Sequence, residues 1–126
     1  MPSYLPVFTS EAGEAETLKA YQAVLDHWPV PYAELMIPTS FGDTYVIASG
    51  PEGAPPVILM HALFATATVW YANVGDLSKD YRVYAVDTIG EANKSRPTQP
   101  ITTSKQYAEW LGETPITSRH WRSRRL

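Results

Sequence analysis

A chain of 126 residues with 13 acids against 10 bases, 44% apolar content, 11 prolines and no cysteine reads as one soluble domain. The apolar fraction excludes disorder, and the missing cysteines exclude a disulfide scaffold, thiolate metal sites and a cysteine nucleophile. No run reaches the ~18 apolar residues of a membrane-spanning helix, and residues 1–9 lack the basic segment and apolar stretch of a signal peptide, so the expected location is cytoplasmic, with no membrane partner.

The net charge of −3 hides an asymmetry. Residues 1–112 hold 12 acids and 6 bases, whereas the last fourteen residues hold Glu113 and four arginines.

After a proline-containing lead-in, residues 11–28 place Leu18, Tyr21, Val24, Leu25 and Trp28 on one helical stripe, with Glu11, Glu14 and Glu16 where the helix dipole favours acids. Pro29 and Pro31 end that helix. Residues 33–38 and 44–49 are strand-like runs around the turn sequence Ser40, Phe41, Gly42, Asp43, which predicts an antiparallel hairpin. Residues 50–56 carry too much proline and glycine for anything but a loop. They lead into Val57, Ile58, Leu59 and Met60, an unbroken apolar run that predicts a strand covered on both faces.

Residues 67–77 predict a helix with Trp70, Val74 and Leu77 on its buried face. Residues 81–86 are a second strand, stopped by Asp87, and residues 87–101 a loop broken by Gly90, Pro97 and Pro100. Thr103 or Ser104 caps a last helix running to Leu111, with Tyr107, Ala108 and Leu111 inward. A strand–helix–strand passage of this length implies a right-handed crossover between parallel strands, so the class is α/β.

Working residues in open parallel sheets gather beyond the carboxyl ends of the strands, here after Met60 and after Val86. A dinucleotide site with Asp87 as the ribose-binding acid needs glycines in the first turn, and none lies between Gly53 and Gly75. A Walker phosphate loop fails for want of a Gly-Lys-Ser/Thr triplet. No cofactor and no metal are expected. Phe64, Trp70 and Tyr71 read as core or pocket-wall residues, and Ser95 and Ser104 as loop or cap hydroxyls.

Val57 to Phe64, then Trp70, Tyr71 and Asn73, then Tyr81 to Asp87, then Gly90 and Lys94 to Pro97 together resemble the amino-terminal part of an α/β-hydrolase of the bacterial carboxylesterase type. The leading helix, the Phe41-Gly42 hairpin, the exit Ala48 to Pro51 and the segment Asn93 to Ser95 carry the same resemblance, which covers roughly residues 15–111. It implies an incomplete α/β-hydrolase sheet, made of the hairpin plus two parallel strands with flanking helices, and serine-dependent hydrolysis of a small ester by the intact family. It maps the backbone N–H that binds the oxyanion to Leu63, with Phe64 as the register alternative. The family glycine is Ala62 here, where positive φ would be costly. His61 is implied as a structural strand-end residue bonded to nearby backbone, and Asp87 as the anchor of the following loop rather than a triad acid.

The nucleophile elbow, Gly-x-Ser-x-Gly, is absent from the sequence, so no catalytic residue is assigned and the chain is expected to be inactive by the family's route. Residues 112–126 are read as a divergent basic tail, out of frame with a partial domain at 1–111; a nucleic-acid-binding tail and a plain surface extension are the disfavoured alternatives. By the same resemblance, the 81–86 strand lies between the hairpin and the 57–60 strand. The most apolar strand is then left at a free edge, which predicts marginal stability or self-association, with a non-catalytic interaction module as the rival to the esterase reading.

Overall fold

The computed structural model of the chain describes residues 3–114. The tail expectation therefore falls outside the described residues from position 115 onward. Helix α1, Glu11–Leu25, begins at Ser10, whose side chain accepts the Gly13 N–H at 3.0 Å, with Glu11 and Glu14 in the first turn. It stops at Leu25, short of the expected Trp28: the His27 and Trp28 N–H groups donate to the Val24 and Leu25 carbonyls in tighter turns, and Pro29 follows at once. Trp28 is nonetheless buried on the same side as Tyr21 and Leu25.

Strands β1, Tyr32–Thr39, and β2, Gly42–Ser49, form the expected hairpin, joined by Ser40 and Phe41. Gly42 has φ +126°, and a Cβ there would stand 2.2 Å from the carbonyl oxygen of Arg96. That closeness arises because residues Arg96–Pro97 add to the sheet, pairing with Asp43 and Gly42 inside what the sequence predicts as plain loop. Strands β3, Pro56–Met60, and β4, Arg82–Val86, pair in parallel, and β4 pairs antiparallel to β2. The order is β1-β2-β4-β3, with the short Arg96–Pro97 strand, β5, beside β2. The fold is thus a mixed sheet with flanking helices, in the strand order that the resemblance implies.

The β3-to-β4 connection is not the single helix expected. A 3-10 segment, Ala67–Ala72, breaks at Asn73 and is followed by α2, Val74–Asp80. The expected inward residues hold: Val74 is buried, and Trp70 and Leu77 pack half-buried against the same cluster.

Strand alternation divides the core into two layers. One face gathers Tyr45, Ile47, Leu59, Val83 and Ala85 under α1, the 3-10 segment and α2. The other gathers Leu35, Ile37, Val46, Ala48, Tyr84 and Val86 under the 87–101 loop and helix α3, Ser104–Gly112. A capping box starts α3, with Thr103 accepting from the Gln106 N–H and the Gln106 side chain returning to the Thr103 N–H. Its inward residues are Trp110, 1% exposed, and the partly buried Tyr107, whereas Ala108 and Leu111 face outward. The stripe expected from the sequence is rotated because the Trp110 indole finds Thr44 Oγ1 at 2.7 Å and fixes which side of α3 meets the sheet. Glu113 and Thr114 belong to this packing, Glu113 accepting from the Ser40 N–H at 2.7 Å and from its hydroxyl, and Thr114 donating to the Trp110 carbonyl at 2.8 Å.

Strand β3 is where expectation and structure part. Instead of being covered on both faces, it buries only Leu59 and leaves Ile58 and Met60 about 40% exposed, while β4 is buried throughout. No described helix lies over the second face of β3, because α3 packs against the hairpin side of the sheet at Thr44. The Arg82 N–H donates to the Pro55 carbonyl at 2.9 Å, and parallel-ladder alternation from that bond turns Val57 and Leu59 toward β4. The N–H and C=O groups of Ile58 and Met60 therefore point away from the sheet, where no described strand pairs with them.

Candidate active site

Parallel β3 and β4 end on the same side of the sheet, so the loops that follow them, residues 61–66 and 87–95, emerge side by side. Two side-chain contacts tie the loops together, through His61 and Glu91, and a third runs from Asp87 to Ala67 just beyond the first loop.

Asp87 is fully buried and receives donors only. Its Oδ1 accepts the Ala67 N–H at 2.7 Å, and its Oδ2 accepts the Tyr21 hydroxyl at 2.9 Å and the Lys94 N–H at 3.0 Å. Burial pushes its carboxyl above the usual carboxylate range, against the pull of the two backbone N–H groups, the Tyr21 hydroxyl and His61. Burial also raises the Tyr21 phenol, helped by the charge of Asp87. The Lys94 ammonium stands 4.7 Å from the Tyr21 ring centroid and 5.1 Å from that of Tyr45, placing a cation beside the pair. Ser95, also buried, donates its hydroxyl to the Asp87 carbonyl at 2.7 Å and accepts the Tyr45 N–H at 2.9 Å.

His61 is at the carboxyl end of β3 with both ring nitrogens engaged. Nε2 accepts the Thr88 N–H at 3.0 Å, which assigns the proton to Nδ1, and Nδ1 donates to the Ala62 carbonyl at 2.8 Å. An imidazole so held has no free nitrogen to take a proton from a nucleophile.

Residues 62–65 form a turn closed by the Ala65 N–H on the Ala62 carbonyl at 3.1 Å, with Leu63 and Phe64 at its centre. The left-handed residue is Phe64, φ 67°, and Ala62 does not take positive φ, so the loss of glycine at 62 brings no backbone strain there. Phe64 is 93% exposed and Leu63 70%, so Phe64 is no core residue, and Tyr71 is half-exposed as well. The Phe64 N–H donates to Glu91 Oε1 at 3.0 Å; among the described residues the Leu63 N–H has no partner.

An open groove of about 560 Å³ lies beneath residues 4–9 and is lined further by Glu14, Glu34, Tyr45 and Lys94; it shares the last two with the Asp87 network but does not reach the 62–65 turn. Among the described residues no three His, Asp or Glu side chains come together as metal ligands, and no helix is long and apolar enough to cross a membrane. The sequence singled out His61, Ala62, Leu63, Phe64 and Asp87, and the structure places them on the two loops at the carboxyl ends of β3 and β4. It missed Tyr21, counted only as core, and Glu91, for which no local signal exists.

No protein-family profile matches the chain. Two curated Bacillus subtilis (strain 168) proteins do. It is 48% identical over 93 residues to the one named "Uncharacterized carboxylesterase nap" and 41% identical over 93 residues to "Carboxylesterase YbfK". Each match covers 74% of this chain and 31% of the relative. The crystal structure of the naproxen esterase (carboxylesterase NP) from Bacillus subtilis superposes with a TM-score of 0.77 at 45% identity, over 87% of this chain and 38% of that one.

The chain has the fold of part of an α/β-hydrolase, and its relatives are carboxylesterases of Bacillus subtilis. It spans about a third of the length of the relatives it matches. Within an α/β-hydrolase, the 62–65 turn and the Asp87 loop occupy the carboxyl end of the sheet, where such folds place their chemistry.

Proposed function

We propose that this chain is the oxyanion-binding side of a serine carboxylesterase acting on small esters, and that on its own it does not turn over. The observation that carries the reading is the 62–65 turn: it holds the Leu63 N–H, unpartnered among the described residues, and the Phe64 N–H just beyond the end of β3, in a chain 48% identical over 93 residues to a carboxylesterase. In ester hydrolysis by an activated serine, the carbonyl oxygen gains charge in the tetrahedral intermediate, and N–H groups fixed in advance stabilise it without reorganising. His61 and Asp87 serve this role indirectly. The His61 ring ties the turn to Thr88, and Asp87 fixes Ala67 just beyond it.

The attacking serine would stand in the Gly-x-Ser-x-Gly elbow that the 126 residues do not contain. Residues 1–111 are proposed as the partial domain, residues 112–126 as a divergent extension, the cytoplasm as the location, and the β3 edge as a self-association surface. Incubating the purified chain with an activated short-chain acyl ester and with a fluorophosphonate probe tests the proposal. Neither turnover nor labelling is expected; stoichiometric labelling of a serine would overturn it.

A further inference from the structure

The oxyanion reading leaves Glu91 unexplained. Its carboxylate comes from the neighbouring loop to accept the Phe64 N–H at 3.0 Å, the register alternative to Leu63 as the donor to a developing negative charge. Its approach is built in. Gly90 has φ +90°, and a Cβ there would meet Ile101 Cγ2 at 2.8 Å, so the chain turns sharply just before Glu91. Just after it, the Asn93 N–H donates to the Glu91 carbonyl at 2.9 Å, and the Asn93 side chain bonds the Thr88 carbonyl at 2.8 Å and the Ser95 N–H at 2.8 Å. The segment on both sides of Glu91 is thereby fixed while its side chain remains partly open to solvent.

Resting on the oxyanion reading, we propose that the Leu63–Phe64 turn is a carboxylate-binding site which Glu91 fills as an internal ligand, so that an outside anion enters only by displacing Glu91. A carboxylate matches the chemistry of the turn: the Phe64 N–H already holds one carboxylate oxygen, that of Glu91, and the adjacent Leu63 N–H has no partner among the described residues. No other described side chain accepts from the turn's two central N–H groups. Glu91 thus keeps the Phe64 N–H satisfied in the resting chain and sets the affinity of the site for carboxylate products or inhibitors.

The test is acetate binding followed through the amide resonances of Leu63 and Phe64 in the isotope-labelled full chain, in wild type, Glu91→Ala and Glu91→Gln. An internal ligand in place about nine-tenths of the time weakens an outside one about tenfold, so acetate is expected to bind Glu91→Ala about tenfold more tightly than wild type, with Glu91→Gln between them. The amides of β4 report that each variant is folded. Equal acetate affinity in all three proteins would overturn the competition and leave the oxyanion reading standing. If acetate moved neither amide in any of them, both would fall.

Discussion

The Tyr21 hydroxyl on α1 donates to Asp87 Oδ2 at 2.9 Å across 66 residues of sequence, coupling the first helix to the end of the most buried strand. Removing that hydroxyl leaves Asp87 buried with one donor fewer. Hydrogen bonds to charged groups contribute about 1.5–3 kcal/mol, so Tyr21→Phe is expected to lower unfolding stability by about 2 kcal/mol with the sheet intact. Urea denaturation followed by tryptophan fluorescence measures it; an unchanged midpoint would show that Asp87 is satisfied without Tyr21.

The shift at Asp87 gives a pH dependence with a definite sign. Its folded pKa is raised, with burial as the leading cause. The stability it contributes is therefore fully present below its unfolded value near 3.9 and is lost as pH rises through the folded value. Asp87→Asn removes the titration. It also turns an amide donor toward either the Ala67 or the Lys94 N–H, costing about 1–3 kcal/mol. The stability gap between wild type and Asp87→Asn is expected to widen as pH falls from neutral toward that window. A gap constant with pH would mean that the folded pKa is not displaced.

Much of this arrangement was legible in the sequence, because local pattern decides local structure. The Phe41-Gly42 turn between apolar runs places the hairpin, Asp87 stops β4, and Thr103 caps α3. Two misreadings share one cause: periodicity says that a residue is apolar, not whether a neighbour arrives to cover it. Ile58 and Met60 belong to an unbroken apolar run yet no described element covers them, and Leu111 yields its inward place to Trp110, whose indole has a partner in Thr44. At the site, the family pattern located the 62–65 turn but put the backbone question at Ala62. The left-handed residue is Phe64, held by Glu91 27 positions away, a contact no window of sequence contains.

Trp110 is the main inward anchor of α3, 1% exposed with its Nε1 on Thr44 Oγ1 at 2.7 Å. Trp110→Ala is expected to cost about 3–5 kcal/mol, enough to release α3 from the sheet. Thr44→Val, which keeps the shape and removes the acceptor, is expected to cost about 1–2 kcal/mol. Thermal melts of the two variants separate packing from hydrogen bonding; equal losses would show that the indole N–H, not the ring, holds α3.

The outer edge of β3 sets the last prediction. Ile58 and Met60 present their backbone N–H and C=O groups outward and their side chains, about 40% exposed, to one face. No described lysine or arginine lies on this strand to deter pairing. If two copies pair antiparallel about a two-fold axis at Leu59, Ile58 of one strand faces Met60 of the other. Each such pair exchanges both of its hydrogen bonds, and the four exposed side chains merge into one apolar patch. Ile58→Lys leaves the buried Leu59 in place but sets a charge in the middle of that patch. The purified wild-type chain is expected to sediment as a dimer or larger species and Ile58→Lys to shift toward monomer, with the same far-ultraviolet circular dichroism. A wild-type chain that sediments as a compact monomer and melts cooperatively would show that the β3 edge is protected in some other way.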